Sequence, residues 1–365
     1  MRARYVVFGI GLLGLACGGG GDGTAAPTDG GIGTGGASFG WTEHWRPTDQ
    51  PKPALALRLA VLGPKHYLLV EKFTGTDNPT GTGVYRSLEI FPDGKHEAGN
   101  MDQAVGTILF YAAYGGGAGL LMEEANEIVS YYYSGSSWQR SVVTASGSQM
   151  AYAVGSAVDG SPRLAIRSSA TPASVKVFAA SGPAWTDQTY DLPNSKGVGG
   201  VAEDHAGRTH FIDNDPPQDV HHVFAAGQEV ETSSIPVATG DPYFLFNPDD
   251  SVRVFNANTL FDNYTGLLSE LGSDATWSDY NAPIKGLPRE HALFDGDLEH
   301  MWGATLYACR RGGAEWTSIE LKGHSVTGFS KADDLKRDGD LLVAAKRGGD
   351  GDRIVVRPLA DCLSR

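Results

Sequence analysis

Short apolar runs recur along the chain from Leu55 to Leu359, and turn-forming residues separate them. The runs are rich in Val, Ile, Leu, Phe and Tyr and end at Gly, Pro, Asp or Asn, which is typical of β-strands joined by tight turns. No stretch of about 15 residues has the apolar spacing of an amphipathic helix. The pattern therefore predicts an all-β body.

A unit built around tryptophan repeats within this body. It reads as a strand, a tight glycine-containing turn, and a second strand that opens with Trp. The tryptophans, each followed by a small polar residue, are Trp138, Trp185, Trp277 and Trp316, at spacings of 47, 92 and 39. In the long gap, Ala225–Thr232 parallels Ala179–Thr186 with a non-aromatic residue in the Trp position.

An acidic turn followed by a short strand keeps the same period. The turns carry Asp159, Asp204, Asp249 and Asp295, which are 45, 45 and 46 residues apart. Two independent features at one period indicate a structural repeat of about 45 residues, the size of one four-stranded propeller blade.

The period predicts a β-propeller. Seven blades are preferred, starting near residues 55, 101, 148, 195, 239, 288 and 323. Six blades with an irregular segment are the alternative. We expect the strand within Arg353–Leu359 to pair with Leu55–Val61 and close the ring.

Two segments keep parts of the motif Ser-x-Asp-x-Gly-x-Thr-Trp, namely Ser269–Trp277 and Ser181–Trp185. With the repeated Asp and Trp units, they give residues 101–322 a pattern that resembles exported bacterial propellers of the sialidase-like, BNR-repeat superfamily. The resemblance implies the propeller architecture but not the enzymology, because one fold carries many functions.

Composition narrows the class of protein. Of 365 residues, 41% are hydrophobic and 20% charged, enough to bury a large core. The net charge of −14 argues against nucleic acid as a partner. No run reaches the ~18 apolar residues of a membrane-spanning helix.

The first residues have the features of an export signal. Met1–Arg4 is positively charged, and Tyr5–Leu15 is apolar but too short to span a bilayer, so residues 1–16 are predicted to be a signal peptide. The stretch Leu13–Cys17 resembles the lipobox of bacterial lipoproteins. The resemblance implies that Cys17 is acylated, with chains such as palmitate, and becomes the mature N-terminus. An ordinary cleaved signal is the alternative.

Residues 17–50 are predicted to be a flexible glycine-rich linker between the lipid and a propeller at 51–365, because glycine-rich chain has little apolar area to offset its ordering entropy. We expect the lipid to be the only membrane contact, and an outer-membrane or cell-surface location, since Gly18 follows the cysteine. The body is expected to be monomeric.

Cys309 and Cys362 are the two cysteines of the mature body. An exported compartment favours oxidation, so we predict a disulfide between them. Two buried free thiols are the alternative.

Three arginines recur at comparable positions of successive units: Arg163, Arg208 and Arg253. Arginines on one rim of a ring could converge on an anion at its centre, as the arginines of a sialidase-type site do. The alternative is that they are part of the repeated surface. We retain them as candidate ligand-binding residues.

Other candidate chemistry is weaker. The acidic segments Asp334–Asp340 and Asp213–Asp215 are interpreted as turns. His221 and His222 are adjacent, so on a strand they face opposite ways and cannot bind one metal ion together. No metal site, cofactor or catalytic residue is predicted.

We therefore expect a lipid-anchored, exported propeller that binds or scaffolds a protein, peptide or glycan of the cell envelope. One alternative is a glycan-active hydrolase or lyase with its site over the propeller channel. The other is a purely structural spacer lipoprotein.

Overall fold

The computed structural model describes residues 41–47, 52–74, 84–101, 104–145, 151–214, 219–235, 243–247, 249–258, 265–271, 277–279, 290–294, 298–302, 306–320, 334–347 and 351–363. The predicted signal peptide, Cys17 and the chain up to residue 40 lie outside the described residues, as does Asp295.

The described strands pair into seven four-stranded antiparallel sheets. Sheet I contains β2 (Ala56–Gly63), β3 (His66–Lys72), β4 (Tyr85–Ile90) and β5 (His96–Asn100). Sheet II contains β6 (Thr107–Tyr114), β7 (Gly117–Glu124), β8 (Glu127–Tyr133) and β9 (Trp138–Ala145). Sheet III contains β10 (Tyr152–Ser156), β11 (Pro162–Arg167), β12 (Ser174–Ser181) and β13 (Ala184–Asp191). Sheet IV contains β14 (Gly200–Glu203), β15 (Thr209–Asp213), β16 (Asp219–Ala225) and β17 (Gln228–Ile235).

The remaining sheets follow in chain order. Sheet V contains β18 (Tyr243–Phe246), β19 (Val252–Asn258), β20 (Thr265–Leu271) and β21 (Trp277–Asp279). Sheet VI contains β22 (Glu290–Phe294), β23 (Leu298–Trp302), β24 (Leu306–Arg311) and β25 (Thr317–Glu320). Sheet VII contains β26 (Asp334–Asp338), β27 (Leu341–Lys346), β28 (Arg353–Pro358) and β1 (Thr42–Trp45). A short helix, α1 (Ala360–Leu363), follows β28.

The two ends of the described chain meet in sheet VII. β1 is its outermost strand and pairs with β28, with Thr42 opposite Val356. The expected pairing of β28 with Leu55–Val61 is wrong, because those residues run into β2, which begins sheet I. Trp41 and Trp45, which lie inside the segment predicted as linker, bury their indoles in the core, so the folded body includes this part of that segment.

Apolar clusters connect the sheets in a ring. Each cluster combines residues of two neighbouring sheets: VII with I, I with II, II with III, III with IV, IV with V, and VI with VII. Between sheets V and VI, the first strands β18 and β22 contact each other. The circle is closed, and the chain is an all-β β-propeller.

The hairpins carry the predicted tryptophan units. Trp138 and Trp277 open β9 and β21, Trp185 is the second residue of β13, and Trp316 directly precedes β25. In the equivalent hairpin of sheet IV, Ala226 and Gly227 both have positive φ, 49° and 80°, as a two-residue turn between strongly twisted strands requires. The repeat therefore encodes the outer hairpin of a sheet.

The predicted disulfide is confirmed. Cys309 on β24 and Cys362 on α1 are bonded, with their Cα atoms 6.2 Å apart. The bond ties the C-terminal helix to sheet VI, next to the sheet in which both chain ends pair. No helix in the described part of the chain is long and apolar enough to cross a membrane.

Candidate functional site

The turns after the first strands gather at one end of the propeller. β10 and β14 run in the same direction, as the parallel bridge between Ala157 and Glu203 shows. The main-chain N–H of His205 in the next turn donates to Asp250 of sheet V. The turns 157–161 and 204–208 of sheets III and IV, and residues 247 and 249–251 of sheet V, therefore lie side by side, and we call them the turn rim.

Arg163 connects sheets III and IV at this rim. Its side chain is buried, and its Nε and Nη2 each lie 3.1 Å from an oxygen of Glu203. Nη1 also donates to Oγ of Ser161, at 2.9 Å. A bidentate guanidinium–carboxylate pair of this kind fixes the orientation of both side chains. Arg163 thus holds Glu203, which stays 30% exposed, in place at the rim.

Arg253 plays the same part between sheets V and VI. Its Nη1 lies 2.8 Å from Oε1 of Glu299, and Oε2 of the same carboxylate accepts a hydrogen bond from Nε of Arg310 at 2.8 Å. Arg253 and Glu299 are both buried. This ion pair contributes a polar link where sheets V and VI meet.

Arg208 does not occupy the position equivalent to the other two arginines. In the three turns, the main-chain N–H groups of Ala157, Asp204 and Asn247 donate to the carbonyls of Ser161, Arg208 and Ser251. Arg208 is thus equivalent to Ser161, and the equivalent of Arg163 and Arg253 is His210. The 45-residue spacing pairs Arg208 with Arg163, but the turn of sheet IV begins two residues later than that spacing implies. Spacing alone does not show which residue begins a turn. Ligand binding by the three arginines stays a prediction.

A half-exposed histidine–aspartate pair lies between sheets IV and V. Nδ1 of His205 lies 2.6 Å from Oδ1 of Asp250, and the same oxygen accepts the main-chain N–H of His205 at 2.9 Å. His205 keeps 46% of its side chain exposed. Its Nε2 has no partner in the part of the chain that the structure describes. The carboxylate favours the tautomer whose Nε2 can accept a proton.

Behind the rim, four side chains form a buried hydrogen-bonded row across sheet IV. His210 Nε2 lies 3.1 Å from Asp204 Oδ2, and His210 Nδ1 lies 3.0 Å from His221 Nε2. His221 Nδ1 lies 3.3 Å from Ser233 Oγ. Asp204 also accepts from Nε of the partly exposed Arg208, at 2.6 Å.

The surroundings keep both histidines of the row uncharged. Burial lowers the pKa of His210 and lowers that of His221 well below its ordinary value, although Asp204 opposes the effect at His210. All four side chains are enclosed, so Ser233 is not placed to attack a ligand. The row stabilises sheet IV and positions Asp204, which in turn fixes Arg208 at the surface.

The other residues considered as candidates from the sequence contact neighbouring protein groups rather than form a metal site. His222 faces away from His221 and contacts Glu229 at 2.6 Å, as predicted from strand alternation. Asp334–Asp338 is β26 rather than a turn, and its first and last carboxylates accept the main-chain N–H groups of Leu59 and Lys65. Within the described ranges, no three His, Cys, Asp or Glu side chains are grouped as metal ligands.

Sequence reasoning missed His205 and Asp250 as members of the rim, and His210 as a member of the buried row behind it. Each lies in or beside an acidic turn that the 45-residue period had marked, and that period was the available signal. The contacts themselves join residues up to 45 positions apart, so they depend on how the sheets pack.

No protein-family model matches the sequence, and no curated protein matches it. Many solved structures are similar in fold, and two of them are described here. YCF48 bound to D1 peptide has 13% identity and a TM-score of 0.51, over 87% of this chain and 94% of that chain. The polysaccharide lyase Uly1 has 9% identity and a TM-score of 0.52, over 86% of this chain and 91% of that chain. At these identities the similarity concerns the β-propeller fold alone.

Proposed function

We propose that this chain is an exported lipoprotein, anchored through Cys17, whose propeller binds a peptide or glycan of the cell envelope at the turn rim. In this proposal each of the seven sheets is one blade, and six blades with one irregular unit remain the alternative. The lipid is the only membrane contact, nucleic acid is not a partner, and the body is monomeric at the outer membrane or cell surface.

The observation that carries the proposal is the set of partly exposed polar groups at the turn rim, each held by a neighbouring group. Glu203 is fixed by Arg163, Arg208 by Asp204, and His205 by Asp250. Side chains that are already oriented lose little entropy when they bind, so they suit recognition. A carboxylate, a guanidinium and an imidazole together offer donors and acceptors that fit the hydrogen-bonding groups of a peptide or a sugar chain.

The structural neighbours support this class of function without naming the ligand. One is bound to a peptide, and the other is a polysaccharide lyase. The same fold thus accommodates ligands of both kinds.

The test is a binding screen with the full chain carrying Cys17→Ser, against a glycan array and a peptide library. We expect at least one ligand whose binding falls tenfold or more in Arg208→Ala and His205→Ala. Thr189→Ala, on the exposed outer strand β13, is the matched control and should bind as the parent does. Binding that is lost equally in all three variants, or in none, contradicts the rim as the site. No ligand at all favours the spacer alternative.

A second candidate function, a glycan lyase, is favoured by one observation. His205, oriented by Asp250, presents an Nε2 that has no partner among the described residues, and Arg208 follows three residues later in the same turn. A base and a nearby cation suit removal of the proton next to a sugar carboxylate, followed by elimination of the linkage. Incubation with uronate-containing polysaccharides should then give an ultraviolet-absorbing unsaturated end, and His205→Gln should abolish it. No absorbance on any such polymer removes this alternative.

A further inference from the structure

The end of sheet VII at which β26 finishes is the end of the propeller that carries the turn rim. β26 contacts β2, the first strand of sheet I, and Asp338 at the end of β26 accepts the main-chain N–H of Lys65, in the turn after β2, at 2.7 Å. The turns of the rim also follow first strands, so the end of β26 lies at the rim end. β28 finishes there as well, because the main-chain N–H of Leu359 donates to the carbonyl of Asp340.

β1 fixes the point at which the preceding chain joins the propeller. It is the outermost strand of sheet VII and pairs antiparallel with β28, with Thr42 opposite Val356. Since β28 runs toward the rim end, β1 runs away from it and starts there. The chain before Trp41, which includes Cys17, is therefore joined to the propeller at the rim end, on the outer edge of sheet VII.

The length of this connection limits how the propeller can stand over a membrane. Cys17 lies 24 positions before Trp41, and a glycine-rich chain of that length has a root-mean-square reach of about 25–30 Å. Strands of six to eight residues, such as β28 and β2, span roughly 20–26 Å. If the opposite end of the propeller faced the membrane, the connection would have to pass the whole height of sheet VII and would use nearly all of that reach. With the rim end toward the membrane, the full reach stays available.

We propose that the lipid-anchored propeller stands with its turn rim toward the membrane, and that the ligand of the rim is carried by another component of the same membrane. The inference rests on the proposed function, because it requires the lipid at Cys17. The net charge of −14 disfavours direct contact with anionic lipid, so the rim faces the membrane across a gap of up to about 25–30 Å. A ligand that extends from the membrane surface into this gap meets Glu203, His205 and Arg208 directly.

The test compares how close the two ends of the propeller lie to a membrane. The lipidated chain is placed in vesicles of phosphatidylcholine and phosphatidylglycerol whose lipids carry an acceptor dye. A donor dye is coupled to Ala206→azidophenylalanine in the rim, or to the matched Ala170→azidophenylalanine in the turn between β11 and β12, at the opposite end. Both alanines are exposed. We expect energy transfer from position 206 to exceed that from position 170 by about twofold or more.

Two further variants separate the anchor from the orientation. Cys17→Ser should lose energy transfer from both positions, and transfer that is retained overturns the lipid anchor of the proposed function and this inference with it. A second copy of residues 18–40, inserted after Gly40, lengthens the connection and should bring the two positions toward equal transfer. Equal or stronger transfer from position 170 in the parent, or a ratio that the longer connection leaves unchanged, overturns the orientation while the anchor stands.

Discussion

Glu71 on β3 and Asp352, directly before β28, hydrogen-bond to each other at the seam between sheets I and VII. Both side chains are fully buried. The carboxylate of Glu71 also accepts Nε of Arg86 at 2.6 Å, and Oδ2 of Asp352 accepts the main-chain N–H of Ala54 at 2.9 Å. Burial raises the pKa of Glu71 to about 7, Arg86 opposes the shift, and Asp352 adds to it. Glu71 at this seam therefore keeps its proton at pH values where an exposed glutamate would lose it.

The first prediction concerns the pH dependence of this seam. The folded protein binds the proton more tightly than the unfolded chain, so the free energy of unfolding should fall as pH rises from about 4.5 to about 7. The loss from Glu71 is on the order of 3 kcal/mol. Glu71→Gln, measured by urea unfolding at about pH 5 and pH 8, should flatten this dependence. Glu97→Gln on the exposed edge strand β5 is the control, and an equal flattening there would contradict the assignment.

The histidine row of sheet IV predicts a loss of stability in acid. The pKa values of His210 and His221 are lowered in the folded state, so the unfolded chain binds more protons below about pH 6.5. The contribution of these two histidines to the free energy of unfolding is fully present above that pH and should decrease as the pH falls. His221→Phe removes the partner of His210 at a cost of about 1–3 kcal/mol near neutral pH, and it should weaken the acid dependence. His222→Phe, on the opposite face, should preserve that dependence in thermal unfolding.

Gly119 on β7 allows a close approach that a side chain would block. A Cβ at this position would lie 2.2 Å from atoms of the Tyr114 ring. Gly119→Ala should therefore lower the free energy of unfolding by about 1–3 kcal/mol through overpacking. Gly63→Ala is the matched control, because the nearest atom to its Cβ is 4.0 Å away. Equal effects of the two variants in urea unfolding would refute the steric explanation.

We expect the disulfide to contribute a measurable part of the free energy of unfolding. Cys309 and Cys362 are 53 residues apart in sequence, so their bond restricts a long loop in the unfolded chain. Removing it as Cys309→Ser with Cys362→Ser should cost about 4 kcal/mol in the loop-entropy model. The parent under reducing conditions should unfold at the same urea concentration as this double variant. A parent insensitive to reductant would show that the bond contributes little.

The lipid anchor is tested separately. Cys17→Ser should move the protein from the membrane fraction to the soluble fraction, since no other membrane contact is proposed. Cys309→Ser should remain with the membranes, which separates loss of the lipid from loss of a thiol elsewhere. An unchanged membrane fraction for Cys17→Ser would end the lipoprotein hypothesis.

Much of the local structure could be predicted from the sequence because its causes are local. Alternating apolar runs, Gly turns such as Ala226–Gly227, and tryptophans at the start of outer strands depend on neighbours in the chain. Two cysteines left after Cys17, in a chain expected to be exported, were enough to predict the bond between Cys309 and Cys362. These features recur in each unit, so the period indicated a propeller.

Tertiary packing alone decided how the ring closes and which side chains meet. Pairing of Thr42 with Val356, of His205 with Asp250, and of Lys346 with the Trp41 ring joins residues that are far apart in sequence. Such contacts depend on how much apolar surface two distant segments bury together, and no local pattern encodes that sum. The two-residue offset at Arg208 has the same cause, since the register of a turn is set by the strands that flank it in space.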